Sequence, residues 1–172
     1  SQATNIGSLS EKIRANPNDA EAFNTRGAAY ARIGRFREAM ADFDKAIALN
    51  PNHAAALTNR GLAHRQSGRA DQAMGDFSRA ISVNPNYGAA YLARGNLLRA
   101  QGDSTQAMAD LNQAIKLNPE GAQAFHARGL LYQKQNQHQF AISDFDAAID
   151  RDPYASAPYE ARGQSLIATG KY

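Results

Sequence analysis

Cysteine and tryptophan are both absent from this chain of 172 residues. The absence of cysteine excludes disulfides, thiolate metal ligands and thiol nucleophiles. Long hydrophobic runs are missing as well. Apolar runs are only a handful of residues long, as at 54–57, whereas a membrane-spanning helix needs about 18 or more apolar residues in succession. The sequence therefore predicts no membrane span.

Charge of one sign is also scarce. The chain has 19 Lys and Arg against 16 Asp and Glu, which gives a formal net charge of +3. So small an excess gives little support to a nucleic-acid partner, which usually requires strong cationic character. A hydrophobic content of 43% with 20% charged residues excludes wholesale disorder. The composition is that of a folded chain with a hydrophobic core.

Proline marks an internal repeat. Five of the six prolines recur every 34 residues, and each follows Asn or Asp: Pro17, Pro51, Pro85, Pro119 and Pro153. A proline disfavours helix in the residue before it. Each of these Asn-Pro or Asp-Pro pairs therefore predicts a helix end and a turn.

Small and aromatic residues recur between the prolines at the same interval. Each unit has an Arg-Gly pair, then an Ala, then a Phe or Leu, and apolar positions step by three and four as in a helix. A second glycine recurs halfway, with Asn136 in its place in the fourth unit. Both residue types tolerate the left-handed conformation after a helix end. Each unit is predicted to be a helix A, a short turn and a helix B.

This pattern resembles the tetratricopeptide repeat (TPR) family over essentially the whole chain. The first unit matches seven of the family's eight landmark positions with Phe23, Gly27, Tyr30, Ala39, Phe43, Ala46 and Pro51, and Arg26 replaces the family's Leu. The resemblance implies an all-α fold, a right-handed superhelical solenoid of antiparallel helix pairs. A softer resemblance to bacterial TPR adaptor proteins and envelope lipoproteins favours the cell envelope or periplasm over the cytoplasm.

The repeat predicts the domain boundaries. Residues 1–19 are an N-terminal helix (a B-type half repeat or a cap), 20–53, 54–87, 88–121 and 122–155 are TPR 1 to TPR 4, and 156–172 are helix A of an incomplete TPR 5. Solenoids normally close with a polar capping helix. The exposed ending at Leu166 and Ile167 is therefore expected to belong to a longer array or to be covered by another copy.

The recurring arginine needs a partner. An Arg in a slot that is Leu in the family must satisfy its guanidinium, and an Asp follows 16 residues later on helix B. The predicted structural ion pairs are Arg26 with Asp42, Arg60 with Asp76, Arg94 with Asp110 and Arg128 with Asp144. Arg162 has no such Asp in its own unit, and Asp144 is the expected substitute.

The resemblance also implies a ligand face, the concave surface lined by helix A. Carried over position by position, the groove contacts are Asn24, Thr58, Asn96 and His126, and the cations that end each stripe are Arg32, Arg65, Arg99 and Lys134. These cations are expected to form a basic rim that favours an acidic partner segment. The alternative is that they are solvated helix ends whose charge complements the helix dipole.

Catalytic and cofactor motifs are not found. The four histidines lack the i, i+4 spacing of metal ligands on a helix, and the glycines are spread by the repeat instead of clustered in a phosphate loop. The sequence predicts no enzyme, cofactor or metal site. It predicts a protein-interaction scaffold or adaptor; the alternatives are the non-catalytic, substrate-recruiting arm of a larger enzyme, or self-assembly through Leu166 and Ile167.

Overall fold

The computed structural model describes residues 2–171, with side chains from Asn5 onward; Ser1 and Tyr172 lie outside the described residues. Helices are the only regular elements within that range: α1 (Gln2–Ala15), α2 (Ala20–Arg32), α3 (Phe36–Leu49), α4 (Ala54–Gln66), α5 (Ala70–Val83), α6 (Gly88–Ala100), α7 (Ser104–Leu117), α8 (Ala122–Lys134), α9 (His138–Arg151) and α10 (Ala157–Ala168). The predicted all-α class is confirmed. None of these helices is long and apolar enough to cross a membrane.

The chain divides into two compact units, unit 1 (Ser1–Ala90) and unit 2 (Tyr91–Tyr172). In unit 1, α2 packs against α3 and α4 packs against α5. Neighbouring hairpins are in contact as well, since α1 packs against α2 and α3 against α4. In unit 2, α8 packs against α9, α7 against α8, and α9 against α10. Each unit is therefore a stack of helical hairpins.

The turn that follows each helix A contains one residue in the left-handed conformation. Asn136 has φ 59°, and four glycines have φ between 74° and 84°: Gly34, Gly68, Gly102 and Gly170. In the second repeat the following Arg69 N–H then donates to the His64 carbonyl at 2.8 Å, which closes the turn. The predicted turn conformation is confirmed, and it depends on residue types that adopt positive φ with little strain.

The turns from helix B to the next helix A depend on the Asn or Asp before proline. Asn50 is extended, with φ −140° and ψ 94°, as expected for a residue that precedes a proline. Its Oδ1 accepts a hydrogen bond from the Asn52 N–H at 3.1 Å. The same side-chain bond forms in three of the other four turns of this kind, at Asn16, Asn84 and Asp152. The side chain thus stabilises the turn that the proline begins.

Close approach of helices A and B explains the recurring glycine inside helix A. A Cβ atom added to Gly61 would lie 2.5 Å from Cε1 of Phe77, and one added to Gly129 would lie 2.5 Å from Cε1 of Phe145. Both rings are completely buried. The ring occupies the space that any larger residue would need, so glycine sets the distance between the two helices.

We predict that Gly61→Ala destabilises unit 1 by about 1–3 kcal/mol, because the new methyl group overpacks the Phe77 ring. Gly75→Ala is the matched control, since Gly75 lies within α5 with open space beside it. That change should stabilise by about 0.5–1 kcal/mol, because alanine has the lower backbone entropy in the unfolded chain. Urea unfolding followed by circular dichroism measures both, and equal effects of the two changes would contradict the account.

Candidate functional site

In the four repeats that have a helix B, the arginine before the helix A glycine forms a two-point ion pair with that helix. In every case Nε and Nη2 donate to the two carboxylate oxygens at 2.7–2.9 Å: Arg26 with Asp42, Arg60 with Asp76, Arg94 with Asp110 and Arg128 with Asp144. All four aspartates are buried. Such paired, parallel bonds fix orientation as well as distance.

The surroundings of these arginines favour the charged form. Hydrogen bonding to Asp76 raises the pKa of the Arg60 guanidinium, outweighing the opposing effect of burial. Aromatic rings flank Arg26 and Arg128. The guanidinium carbon of Arg128 lies 5.7 Å from the centre of the Phe125 ring and 5.9 Å from that of Tyr132. The rings add a cation–π attraction to the ion pair.

A second acceptor, which the sequence analysis missed, lies 16 residues before the arginine on the preceding helix B. Nη1 of Arg60 donates to Asp44 at 3.1 Å. The same atom donates to Ser10 from Arg26, to Asn112 from Arg128 and to Asp146 from Arg162. Each of these acceptors lies two residues after the usual position of the paired aspartate. The regular spacing could therefore have predicted these hydrogen bonds from the sequence.

The expectation that Asp144 serves Arg162 is therefore wrong. Nη1 of Arg162 donates to Asp146 at 2.7 Å. Both carboxylate oxygens of Asp144 are already occupied by Arg128. A carboxylate two residues along the same helix is the one that remains available.

Two of the expected groove contacts, Asn24 and Thr58, are buried inside unit 1. Asn24 is 6% exposed, and its Oδ1 accepts from Nδ2 of Asn59 at 3.0 Å. Thr58 is 2% exposed, and its hydroxyl donates to the Ala54 carbonyl at 2.9 Å. Neither side chain is placed to contact a partner directly. Asn59, half-buried, presents the amide at this surface in their place.

A surface depression lies between α2 and α4. Its volume is about 410 Å³, and it is lined by Ala28, Ala31, Arg32, Phe43, Asn59, Leu62, Ala63 and Gln66. Phe43 is almost completely buried, whereas Leu62 is 44% exposed. The depression thus combines apolar side chains with one cation and two amides, and we refer to it as the α2–α4 depression.

The four expected rim cations occupy two helix registers. Arg32 is exposed and lines the α2–α4 depression, and its repeat equivalent there is Gln66. Arg65 is one residue earlier than Gln66, a rotation of about 100° around the helix, and is half-buried. In unit 2 the exposed Lys134 and the half-buried Arg99 differ in the same way. Within each unit the two cations therefore lie on different faces of their helices.

In unit 2 the expected groove residues Asn96 and His126 are both half-buried. The centre of the His126 ring lies 6.0 Å from that of Phe145. Burial lowers the pKa of His126, and the positive charge of Arg99 lowers it further. His126 is therefore a neutral hydrogen-bonding group near pH 7.

Of the remaining three histidines, His53 and His138 have hydrogen-bond partners. Nδ1 of His53 accepts from the Ala56 N–H at 3.1 Å, capping α4, and its Nε2 lies 2.9 Å from Glu21. Nδ1 of His138 lies 2.9 Å from the Ser165 hydroxyl oxygen. The His64 side chain is 13% exposed, with Nε2 3.8 Å from the Asp76 carboxylate. Across the described part of the chain, no three His, Asp or Glu side chains meet as a metal ion would require.

The expected self-assembly surface lies on α10. Leu166 is half-buried, and Ile167 is 64% exposed. Self-assembly through this pair stays a prediction.

Family models match most of the repeats. One model of the tetratricopeptide repeat matches residues 20–53 and 54–87, and a second matches residues 122–154. A model of the TPR repeat matches residues 95–136. The chain belongs to the tetratricopeptide repeat family. A comparison with curated protein sequences found no match.

Solved structures similar to this TPR protein share its fold. TTC0263, a thermophilic TPR protein of Thermus thermophilus, is 21% identical with a TM-score of 0.80, over 94% of this chain and 89% of its own. MamA of Desulfovibrio magneticus RS-1 is 21% identical with a TM-score of 0.72, over 88% and 86%. YrrB, a TPR protein with an unusual peptide-binding site, is 20% identical with a TM-score of 0.70, over 95% and 84%.

We predict that Asp76→Asn destabilises unit 1 by about 1.5–3 kcal/mol, because Arg60 loses a charged acceptor in a poorly hydrated position. Asp44→Asn is the matched control, since Asp44 bonds the same guanidinium but its side chain is 60% exposed. It should cost no more than about 1 kcal/mol. Urea unfolding measures both, and a larger loss from the Asp44 change would contradict this ranking.

We also predict that NMR titration of His126 gives a pKa below the usual 6.5. Arg99→Gln should raise this pKa partway, because it removes the like charge and leaves the burial. Lys134→Gln removes a cation that does not act on His126 and should leave the pKa unchanged. An equal response to the two substitutions would contradict the role of Arg99.

Proposed function

We propose that this TPR protein is an interaction scaffold that holds an extended segment of a partner protein in the α2–α4 depression. The observation that carries the proposal is the depression itself, in which the side chain of Leu62 is 44% exposed beside small alanines. Concave, mostly apolar surfaces with a few polar groups are typical of binding sites. A volume of about 410 Å³ accommodates one or two partner side chains.

The polar lining supports a polypeptide ligand. Asn59 donates to the buried Asn24, which holds its amide in one orientation. Its oxygen and second N–H are then available to the main chain of a bound segment, while Arg32 adds a positive charge at the edge. Because a preformed surface needs little reorganisation, binding should depend on a few anchors.

Family membership supports the same role. TPR repeats are generally non-catalytic scaffolds for protein interaction, and the TPR models cover unit 1 and unit 2 alike. YrrB, which shares the fold, has a peptide-binding site. In unit 2 we propose Asn96, Arg99, His126 and Lys134 as the residues that contact a partner. The Arg32 and Lys134 cations favour acidic character in that partner.

The test is selection of peptides from a displayed random library against the native chain and two variants. Ala28→Leu places a larger side chain in the α2–α4 depression, since Ala28 lines it and is half-buried. Ala48→Leu is the matched control, because Ala48 is an exposed residue of α3 outside the depression. Peptides selected by the native chain should bind Ala28→Leu at least about tenfold more weakly, a loss of about 1.4 kcal/mol. Equal binding to all three proteins would refute the proposal.

A further inference from the structure

Arginine is concentrated at the two helix A–helix B turns of unit 1. We refer to these residues as the basic turn surface: Arg32, Arg35, Arg37, Arg65 and Arg69. Only two acidic residues, Glu38 and Asp71, lie in the same segments 32–38 and 65–71. The turns are neighbours in space, because Arg32 at the end of α2 and Gln66 at the end of α4 line the same depression.

Three of these arginines occupy positions where a positive charge is unfavourable. Arg35 and Arg69 are the N-cap residues of α3 and α5, and neither caps its helix with a side-chain hydrogen bond. Arg37 lies in the first turn of α3. Helix N-termini favour acceptors and negative charge. In the third repeat the equivalent of Arg69 is Asp103, whose carboxylate accepts from the Gln106 N–H at 3.2 Å.

Most of this charge is not used inside the protein. Arg35 pairs with Glu38 at 2.8 Å and lies 5.6 Å from the centre of the Tyr30 ring. The other four side chains form no hydrogen bond or ion pair with any residue in the described range 5–171: Arg32, Arg37, Arg65 and Arg69. Arg69 thus lies at a position that lowers stability and gains no hydrogen bond or ion pair in return, and such local departures are typical of functional sites.

We propose that the basic turn surface binds an acidic stretch of the partner segment whose apolar part lies in the α2–α4 depression. This inference rests on the proposed function, because Arg32 belongs to both surfaces and makes them continuous. Guanidinium groups match carboxylates with paired hydrogen bonds. Ile33, 45% exposed between Arg32 and Arg35, adds an apolar contact for the same stretch.

The surroundings favour an acidic polypeptide over a nucleic acid. Single strands bind through aromatic side chains on which bases stack. Tyr30 and Phe36 are both half-buried, and the Arg35 guanidinium lies over the Tyr30 ring. Within the described turn segments Ile33 is the one exposed large apolar side chain, and one such side chain is too small a surface to favour insertion into a lipid bilayer.

The test uses fluorescence anisotropy with a labelled octaglutamate peptide at about 0.15 M salt, where exposed charges more than about 8 Å apart are largely screened. Arg69→Asp should weaken its binding about fivefold, and should also raise the Tm, because the new aspartate caps α5 as Asp103 caps α7. Arg79→Asp is the matched control. It makes the same charge change on α5, near the other end of that helix, and should leave the affinity unchanged within about twofold. Arg37→Asp provides a second variant on the neighbouring turn and should weaken binding as Arg69→Asp does.

A second probe separates this inference from the proposed function. It is octaglutamate extended by Leu-Ala-Leu, and Ala28→Leu should weaken the extended peptide without affecting octaglutamate. If Ala28→Leu affects neither probe while Arg69→Asp affects both, the proposed groove fails and the basic turn surface stands. The inference is overturned if Arg69→Asp and Arg79→Asp weaken octaglutamate equally, or if neither does. It is also overturned if oligothymidine or phosphatidylserine vesicles bind through Arg69 and octaglutamate does not.

Discussion

One side chain per repeat, the arginine before the helix A glycine, orders the stack in unit 1. Arg60 donates through Nε and Nη2 to Asp76 on α5 and through Nη1 to Asp44 on α3. A planar guanidinium makes these bonds only in directions fixed by its geometry. These hydrogen bonds therefore fix the rotation of α4 about its own axis relative to both α3 and α5. The buried Gly61–Phe77 contact then sets how closely α4 and α5 approach.

The same constraint separates the framework from the surface. Residues that pack or pair are tied to the repeat, and their type changes little from unit to unit. The N-cap residues of the B helices are free of this constraint, so the slot that holds Asp103 in one repeat holds Arg69 in another. N-cap residues that depart from the usual preference for hydrogen-bond acceptors are consequently good indicators of binding residues.

Much of the fold could be predicted from the sequence because every structural device recurs at one period. The left-handed turn glycines follow directly from residue type and spacing. The groove was harder to predict, because burial depends on how far each helix A is rotated against its neighbour. Thr58 looks like a surface residue in the sequence, yet its hydroxyl bonds its own helix in the interior. The helix face of Arg65 was also hard to predict. Arg65 lies one residue earlier in its repeat than Arg32 does, and a shift of one residue places the side chain on a different face of the helix.

The two offsets of the arginine contacts have a consequence for how such arrays change in length. Arg128 reaches Asp144 and Asn112, each 16 residues away in opposite directions. Duplication or loss of one whole 34-residue unit preserves both offsets at every junction. Insertion of a single residue inside a helix, between the arginine and either acceptor, rotates one partner by about 100° and breaks the contact on that side. Duplication or deletion of whole units can therefore lengthen or shorten this protein without new compensating mutations, whereas small insertions are expected to be tolerated only in the turns.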